Sequence, residues 1–290
     1  MRPTKLPVIT ESPEVRMLID RALKEDIGAG DVTTRSLVAG STKARAVMLS
    51  RDDHLISGTT VAAAVFQKVD PKLKIRILVR DGGRVKRGGV IMTVSGRAGS
   101  ILTAERTALN FVQRMTGIAT LTGQFVAKVK RYGVTILDTR KTTPGLRALE
   151  KYAVLCGGGK NHRMGLHDMA LVKDNHRSLW AGSEAGDLGK AVAAIRKKYR
   201  GLPVEVEVEN TTQLLSALRG LPEWILLDNM KPGLMRMCVK LCAGRSLLEA
   251  SGGITLANAE SVASTGVDAI SLGCLTHSAP AADLSLEIEG

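Results

Sequence analysis

From residue 134 onward, short apolar segments alternate with amphipathic helical patterns, and this alternation constrains the fold more than any other feature. Six segments predict strands: 134–138, 169–173, 204–208, 224–228, 247–250 and 268–272. Helical patterns lie between them at 146–156, 187–199, 212–219, 233–242 and 256–264. Strands that alternate with helices form a parallel sheet. Their spacing of about 20 to 35 residues favours a (β/α) barrel, and no GxGxxG run supports a dinucleotide-binding fold.

The first hundred residues show a mixed pattern that predicts a separate α+β domain. Ser12 and Pro13 predict the start of a helix that ends near Gly28. Strand, helix and strand patterns follow at 44–50, 60–68 and 73–77, and short strands end near position 94. Two further helices are predicted at 103–115 and 119–131.

Composition excludes several classes of protein. Hydrophobic residues make up 44% of the chain, which excludes wholesale disorder. No apolar run approaches the roughly 18 residues that a membrane helix needs, and the N-terminus shows no apolar secretory segment. We therefore expect a cytoplasmic protein without a membrane partner. The four cysteines form no CxxC pair, so we expect them to be reduced and mostly buried.

The charge balance points to an anionic partner. Lys and Arg number 41 against 28 Asp and Glu, a formal net charge of +13. Nucleic acid and small phosphorylated or carboxylated molecules both fit this charge. Because the basic residues are scattered and aromatic residues make up only 3%, a basic funnel for a small anionic substrate is the favoured interpretation.

Charged residues or glycines lie at, near or just after the end of every predicted strand. In strand order they are Asp138 with Thr139, Arg140 and Lys141, then Lys173, Glu207, Asp228, Ser251 with Gly252 and Gly253, and Gly273. In a (β/α) barrel these ends meet at one mouth. The glycine loops after the last two strands are typical of a phosphate site, with tight turns as the alternative.

The cationic residues in this set predict a multiply anionic ligand. Arg140, Lys141 and Lys173 are joined by a basic cluster at 160–163. So many cations in one pocket would repel each other unless they bound a ligand such as a dicarboxylate with a pyrophosphate; a solvated basic rim is the alternative. Glu207 and Asp228 would suit hydroxyl groups, Mg²⁺ or a developing cation.

Several runs together resemble one enzyme family. They are LDTRKTTPG at 137–145, KNHR at 160–163, EVEVE at 205–209, LLDN at 226–229 and EASGGI at 249–254, with EDIG at 25–28, GDVTT at 30–34 and GVD at 266–268. In this order they are similar to the quinolinate phosphoribosyltransferases, decarboxylating enzymes also called nicotinate-nucleotide pyrophosphorylases. The resemblance covers almost the whole chain.

The resemblance implies an α/β architecture and an activity. It implies an incomplete (β/α) TIM-like barrel of about seven strands at 117–274, and an N-terminal α/β sandwich domain at 1–116 that the tail at 275–290 completes. The implied reaction transfers phosphoribosyl from phosphoribosyl pyrophosphate to quinolinate with decarboxylation, in de novo NAD biosynthesis. The implied cofactor is Mg²⁺, and the implied assembly is a homodimer with shared active sites, without nucleic acid.

The resemblance also assigns roles to residues. Arg106 would reach into the partner subunit's pocket, and Arg140, His162 and Arg163 would bind the quinolinate carboxylates. The implied catalytic residues are Lys141, Lys173, Glu207 and Asp228. Further implied substrate-binding residues are Thr139, Ser251, Gly252, Gly253, Leu272, Gly273 and Cys274. No metal ligand is certain; Mg²⁺ would be held by pyrophosphate together with Glu207 and Asp228.

Three rival interpretations stay open at this point. The nearest is a paralogous pyrophosphorylase-like protein of molybdenum uptake, which would share the architecture. A sugar-phosphate (β/α)-barrel enzyme and a nucleic-acid-binding protein are the others. An assay that compares quinolinate with nicotinate would separate the paralogue, and the sugar-phosphate enzyme should not consume quinolinate. A nucleic-acid-binding protein would show tight, salt-sensitive binding to random DNA and no turnover.

Overall fold

The computed structural model describes residues 6–180 and 186–289, which form two compact units. The first unit comprises the described residues of Met1–Gly123, Thr142–Gly158 and Cys274–Gly290. The second comprises those of Gln124–Lys141 and Gly159–Gly273. The second unit therefore contains all the predicted parallel strands.

The strands and helices have the following bounds among the described residues. The strands are β1 (Lys43–Ser50), β2 (His54–Leu55), β3 (Lys74–Ile77), β4 (Arg84–Val85), β5 (Val90–Arg97), β6 (Thr135–Leu137), β7 (Ala170–Val172), β8 (Val204–Val208), β9 (Trp224–Asp228), β10 (Leu247–Ser251), β11 (Ala269–Ser271) and β12 (Leu284–Ile288). The helices are α1 (Pro13–Ile27), α2 (Val32–Leu37), α3 (Thr59–Val69), α4 (Ala98–Val129), α5 (Arg147–Cys156), α6 (Asp174–Leu179), α7 (Leu188–Lys198), α8 (Thr211–Leu218), α9 (Pro232–Cys242), α10 (Ala259–Ala263) and α11 (Cys274–His277).

The first unit is built on an antiparallel sheet with strand order β12-β1-β5-β3. The chain's last strand, β12, pairs with β1, so the C-terminal tail contributes an edge strand to this sheet. The predicted first helix is confirmed as α1, which begins at Pro13 and buries Val15, Ile19 and Leu23 on one face. Ser12 occupies the N-cap position, but its side chain makes no capping hydrogen bond.

The prediction of two helices at 103–115 and 119–131 was wrong. A single 32-residue helix, α4, covers the first segment and the second as far as Val129, where a 3-10 helix (Lys130–Tyr132) follows. Gly117 lies inside α4, and a Cβ there would stand 1.9 Å from the carbonyl oxygen of Pro280. Gly117 therefore does not end the helix; its missing side chain allows the C-terminal tail to pack closely against α4. No described helix, α4 included, is both long and apolar enough to cross a membrane.

The second unit is an open parallel barrel sheet. The strand order is β6-β11-β10-β9-β8-β7, and each of the six predicted strands is present. Among the described residues β6 and β7 do not pair with each other, so the barrel is incomplete as expected. The described part of this unit has six strands instead of about seven, and a parallel bridge joins Leu137 to Lys160 beside β6.

The four cysteines are free, in agreement with the sequence-based expectation. Cys156, Cys238 and Cys242 are buried, and Cys274 is half-buried. Burial raises the pKa of the Cys156 thiol to about 12, so this group stays protonated near neutral pH.

Candidate active site

Most predicted site residues of the second unit lie at or just beyond the carboxyl ends of its strands, while His162 and Arg163 lie between β6 and β7, after the bridge from Leu137 to Lys160. Thr139, Arg140 and Lys141 follow β6, and Lys173 directly follows β7. Glu207 lies near the end of β8 and Asp228 ends β9; Ser251 ends β10, while Leu272 and Gly273 follow β11. Cys274 and Arg106 belong to the first unit. Arg106 is exposed on α4, beside the buried Ala104 and Ala108.

Lys173 and Glu207 join two neighbouring strands through an ion pair. The Nζ of Lys173 donates a hydrogen bond to Oε2 of Glu207 over 2.8 Å. Lys173 is also the N-cap residue of α6, which restrains its backbone. The Glu207 side chain is mostly buried while the Lys173 side chain is half-exposed, so the ammonium group stands at the rim and the carboxylate below it.

Arg140 and Arg163 are close enough for their positive charges to interact. Burial, and then the positive charge of Arg140, lowers the pKa of the Arg163 guanidinium from its ordinary value. Arg163 is held in place by a hydrogen bond from Nη1 to the carbonyl oxygen of Met169, 3.1 Å long. Two guanidinium groups brought together at a cost in repulsion are suited to a ligand with more than one carboxylate.

Both ring nitrogens of His162 contact other groups of the protein. Nδ1 accepts a hydrogen bond from the backbone N–H of Arg163 at 2.8 Å, so the proton of the neutral ring is on Nε2. Nε2 lies 2.9 Å from Oε2 of Glu205 and 3.5 Å from Oε2 of Glu249. Its backbone N–H donates to Oδ1 of the buried Asp138. With both ring nitrogens engaged in this way, His162 fixes the backbone of Arg163.

Glu205 and Glu249 place two carboxyl groups in the barrel interior. Burial, and then repulsion by Glu205, raises the pKa of Glu249 to about 8. Together with His162 they are the described residues whose ligand atoms lie close enough to share a metal ion, within 4.8 Å of one another. Glu205 stands on the same face of β8 as Glu207 but is more deeply buried, so its carboxyl group lies below that of Glu207.

The glycine loop after β10 is shaped by side chains around it. Gly252 and Gly253 have φ of +93° and +62°, in the left-handed region that favours glycine. The amide of Asn258 donates to the carbonyl oxygen of Gly253, 3.0 Å away, and Ser271 Oγ donates to Ser251 Oγ over 3.1 Å. The helix predicted at 256–264 is only the five-residue α10. Because a helix this short contributes little of its own, the backbone N–H groups of the loop would be the donors for an anion.

Sequence reasoning assigned no role to four residues that shape this site. They are Asp138, Glu205, Asn229 and Glu249. The alternation in Glu205-Val206-Glu207 was an available signal, because residues two apart on a strand share a face. The side-chain amide of Asn229 donates to Oδ2 of Asp228 over 2.8 Å, a contact that spacing alone does not indicate.

The oxygen donors needed for Mg²⁺ are present at the same edge of the sheet. Glu207 lies next to the end of β8 and Asp228 ends the neighbouring β9, and each carboxylate is already hydrogen-bonded by one side chain, Lys173 and Asn229 respectively. Carboxylates of this kind are the hard oxygen ligands that Mg²⁺ prefers, usually together with substrate phosphates. The residues therefore fit the implied cofactor.

Comparison with known proteins assigns the chain to a family. Sequence models of the N-terminal and C-terminal domains of quinolinate phosphoribosyl transferase match residues 31–116 and 118–287. A nicotinate-nucleotide pyrophosphorylase (carboxylating) of Mycobacterium leprae is 43% identical over 284 residues, covering 96% of this chain and 98% of its own. A probable enzyme of the same name from Synechocystis is 42% identical over 270 residues, covering 92% of this chain and 90% of its own.

A solved structure shows the same architecture. The nicotinate-nucleotide pyrophosphorylase of Francisella tularensis superposes with a TM-score of 0.91 and 37% identity, covering 97% of this chain and 99% of its own. This likeness over nearly the full length of the chain includes both the incomplete barrel and the antiparallel N-terminal sheet. The two domain models that match the chain name quinolinate phosphoribosyl transferase. The chain therefore belongs to the quinolinate phosphoribosyltransferase family.

Proposed function

We propose that this protein transfers the phosphoribosyl group of phosphoribosyl pyrophosphate to quinolinate and decarboxylates the product. The products are nicotinate mononucleotide, pyrophosphate and carbon dioxide, as in de novo NAD biosynthesis. The observation that carries the proposal is the placement of Arg163, anchored on the carbonyl oxygen of Met169, within reach of the Arg140 charge, in a chain whose relatives include enzymes named quinolinate phosphoribosyltransferase. Two guanidinium groups in one site match a pyridine dicarboxylate better than a monocarboxylate.

The site residues divide between the two substrates. Arg140 and Arg163 bind the two carboxylates of quinolinate, and His162 lines this pocket while it fixes the Arg163 backbone. Glu207 and Asp228 address the ribose hydroxyls. The loops Ser251–Gly253 and Leu272–Cys274 bind the 5′-phosphate, and Lys141 and Lys173 lie near the anionic groups of both substrates. Thr139 shapes the Lys141 loop, because its Oγ1 accepts the Lys141 backbone N–H at 3.0 Å.

The chemistry requires positioning and electrostatics more than covalent catalysis. The pyridine nitrogen attacks the anomeric carbon as the bond to pyrophosphate breaks, and the Glu207 and Asp228 carboxylates stabilise the oxocarbenium-like charge. The ring nitrogen then bears a positive charge beside the 2-carboxylate. The bond to that carboxylate breaks, and the adjacent cation stabilises the electron pair left on the ring until a proton replaces carbon dioxide. By holding the two anionic substrates together in the reacting geometry, the site supplies much of the rate enhancement.

Glu207 and Asp228, together with the substrate's pyrophosphate, would hold Mg²⁺. When bound, the ion offsets negative charge on the leaving pyrophosphate. The Glu207 carboxylate accepts a 2.8 Å hydrogen bond from the Lys173 ammonium group. A change of partner on substrate binding would free the Lys173 ammonium for the pyrophosphate.

We further propose a homodimer whose active sites take Arg106 from the partner subunit. The support is the exposure of Arg106 on α4 beside the buried Ala104 and Ala108, together with the family resemblance. The cytoplasmic location and the functional division into 1–116 with 275–290 and 117–274 stay predictions.

A product assay tests the proposed function. Purified protein with phosphoribosyl pyrophosphate and Mg²⁺ should form nicotinate mononucleotide from quinolinate and at least about 100-fold less nucleotide from nicotinate. Pyrophosphate release with another acceptor, but none with quinolinate, would support the paralogue. Turnover of sugar phosphates alone would support the sugar-phosphate barrel enzyme, and either result would overturn the proposal.

A further inference from the structure

Asn229 holds an unusual backbone conformation beside the proposed ribose site. Its φ is +53°, and only Leu221 and Ala243 share a positive φ among the described residues other than glycine. Asparagine tolerates this left-handed region better than most residues. The position directly follows Asp228, the last residue of β9. The conformation therefore turns the chain sharply at the point where a proposed substrate residue is presented.

In this conformation Asn229 touches two separate parts of the site. Its side-chain Nδ2 donates to Oδ2 of Asp228 over 2.8 Å. Its backbone N–H donates to the carbonyl oxygen of Ser251, 2.9 Å away. Its Oδ1 lies over Gly252, where a Cβ would come within 2.1 Å of it. One residue therefore contacts both the carboxylate at the end of β9 and the glycine loop after β10.

These contacts have a direct consequence for a ligand that spans both parts. A hydrogen bond to Oδ2 orients the Asp228 carboxylate and leaves its second oxygen for a ligand. The contact over Gly252 requires a residue without Cβ, so Asn229 and the loop fit each other specifically. The sheet itself restrains the strands but not the loops beyond them. Asn229 bridges the two loops where the ladder between β9 and β10 ends.

We propose that Asn229 is a positioning residue that sets the distance between the ribose-binding carboxylate and the 5′-phosphate loop. This inference rests on the proposed function and deepens it. Ribose hydroxyls and 5′-phosphate are joined covalently, so their two subsites must keep one spacing for both contacts to form at once. Asn229 thus makes binding at the two subsites cooperative without touching the substrate itself.

Two substitutions separate the amide from the backbone. Asn229→Gly keeps the left-handed backbone and removes the side chain, and Asn229→Asp keeps the shape and removes the N–H donor. The matched control is Ala243→Gly, because Ala243 is also left-handed (φ +50°) but follows α9, away from the site. Affinity for phosphoribosyl pyrophosphate with Mg²⁺ is measured by calorimetry, and quinolinate KM and thermal stability are measured alongside.

We expect both Asn229 variants to bind phosphoribosyl pyrophosphate at least about tenfold more weakly, with quinolinate KM changed less than about threefold. The control should match wild type in affinity. A double-mutant cycle between Asp228→Asn and Ser251→Ala should show coupling of at least about threefold in wild type and none in the Asn229→Gly background. A role in folding alone would leave that coupling in place.

The outcomes separate the two proposals. Wild-type affinity in both variants, or coupling that persists without the Asn229 side chain, would overturn the role of Asn229 alone. Equal losses for both substrates would also overturn it, because they would indicate a general disturbance of the site. A wild-type protein that binds phosphoribosyl pyrophosphate but does not convert quinolinate would overturn the proposed function while Asn229 is still tested by binding. Lack of binding by wild type would overturn both.

Discussion

At the scale of single residues, we expect Arg140 and Arg163 to carry quinolinate binding. Each would make a charge-assisted hydrogen bond worth about 1.5–3 kcal/mol. Arg140→Ala or Arg163→Ala should therefore raise quinolinate KM about 10- to 100-fold and leave the fold intact, measured by steady-state kinetics and circular dichroism. Arg236→Ala, an exposed arginine on α9, is the control. Unchanged KM and kcat in both site variants would remove these residues from the quinolinate site.

Glu249 gives a residue-scale prediction for pH dependence. Its folded-state pKa of about 8 lies above its ordinary value of 4.5, because burial and then Glu205 disfavour the charged form. The stability contributed by protonated Glu249 is present below pH 4.5 and is lost as pH rises toward 8. Glu249→Gln should therefore gain at least about 1 kcal/mol relative to wild type between pH 5.5 and 8.5.

Urea unfolding at both pH values measures this difference, with the exposed Glu14→Gln as control. A variant-minus-wild-type difference that does not change with pH would show that Glu249 does not titrate in this range.

At the scale of elements, the glycine loop after β10 should be the binding site of the 5′-phosphate. Gly253 and Gly244 both have left-handed backbones, φ +62° and +73°, and both have open space where a Cβ would stand. Alanine at either position should cost about 1 kcal/mol of stability. Only Gly253→Ala should weaken phosphoribosyl pyrophosphate binding, by about tenfold, because its methyl group occupies the space of the phosphate. Equal affinity in the two variants would place the phosphate elsewhere.

The elements themselves were largely predictable, and the reasons are local. Each barrel strand is a short segment rich in apolar residues and flanked by polar ones, although β8 alternates valine with glutamate, so the position of each strand and of the polar residues near its end could be predicted from the sequence. Helix α4 could not, because Gly117 indicates a break unless the tail residue Pro280 is known to pack against it. A contact between two residues so far apart along the chain leaves no signal in the sequence around either of them.

Side-chain groupings inside the barrel were also beyond sequence reasoning. Glu205 and Glu249 are 44 positions apart and lie on strands separated by β9, so their meeting at His162 depends on sheet register. The Asn229 contacts depend in the same way on a backbone angle after β9. What the sequence did predict was the set of charges at the strand ends, because parallel strands always present those ends together.

At the scale of the whole molecule, the proposal that two subunits share each active site predicts complementation between two inactive chains. Arg106→Ala disables the site to which it is donated, and Lys141→Ala disables its own barrel. A heterodimer of the two contains one site with neither lesion. Random re-association of equal amounts makes half the dimers heterodimers with one intact site in two, so activity should recover to about a quarter of wild type. Heterodimers that form without recovering activity would exclude the shared site.

The central claim is that one pocket joins quinolinate to phosphoribosyl and then releases its 2-carboxylate. Quinolinate labelled with carbon-14 separately at its 2- and 3-carboxylates tests this claim most directly. With phosphoribosyl pyrophosphate and Mg²⁺, we expect the 2-carboxylate label to appear in carbon dioxide and the 3-carboxylate label in nicotinate mononucleotide, each in equal amount to the pyrophosphate released. Pyrophosphate release without labelled carbon dioxide, or labelled carbon dioxide from the 3-carboxylate, would contradict it.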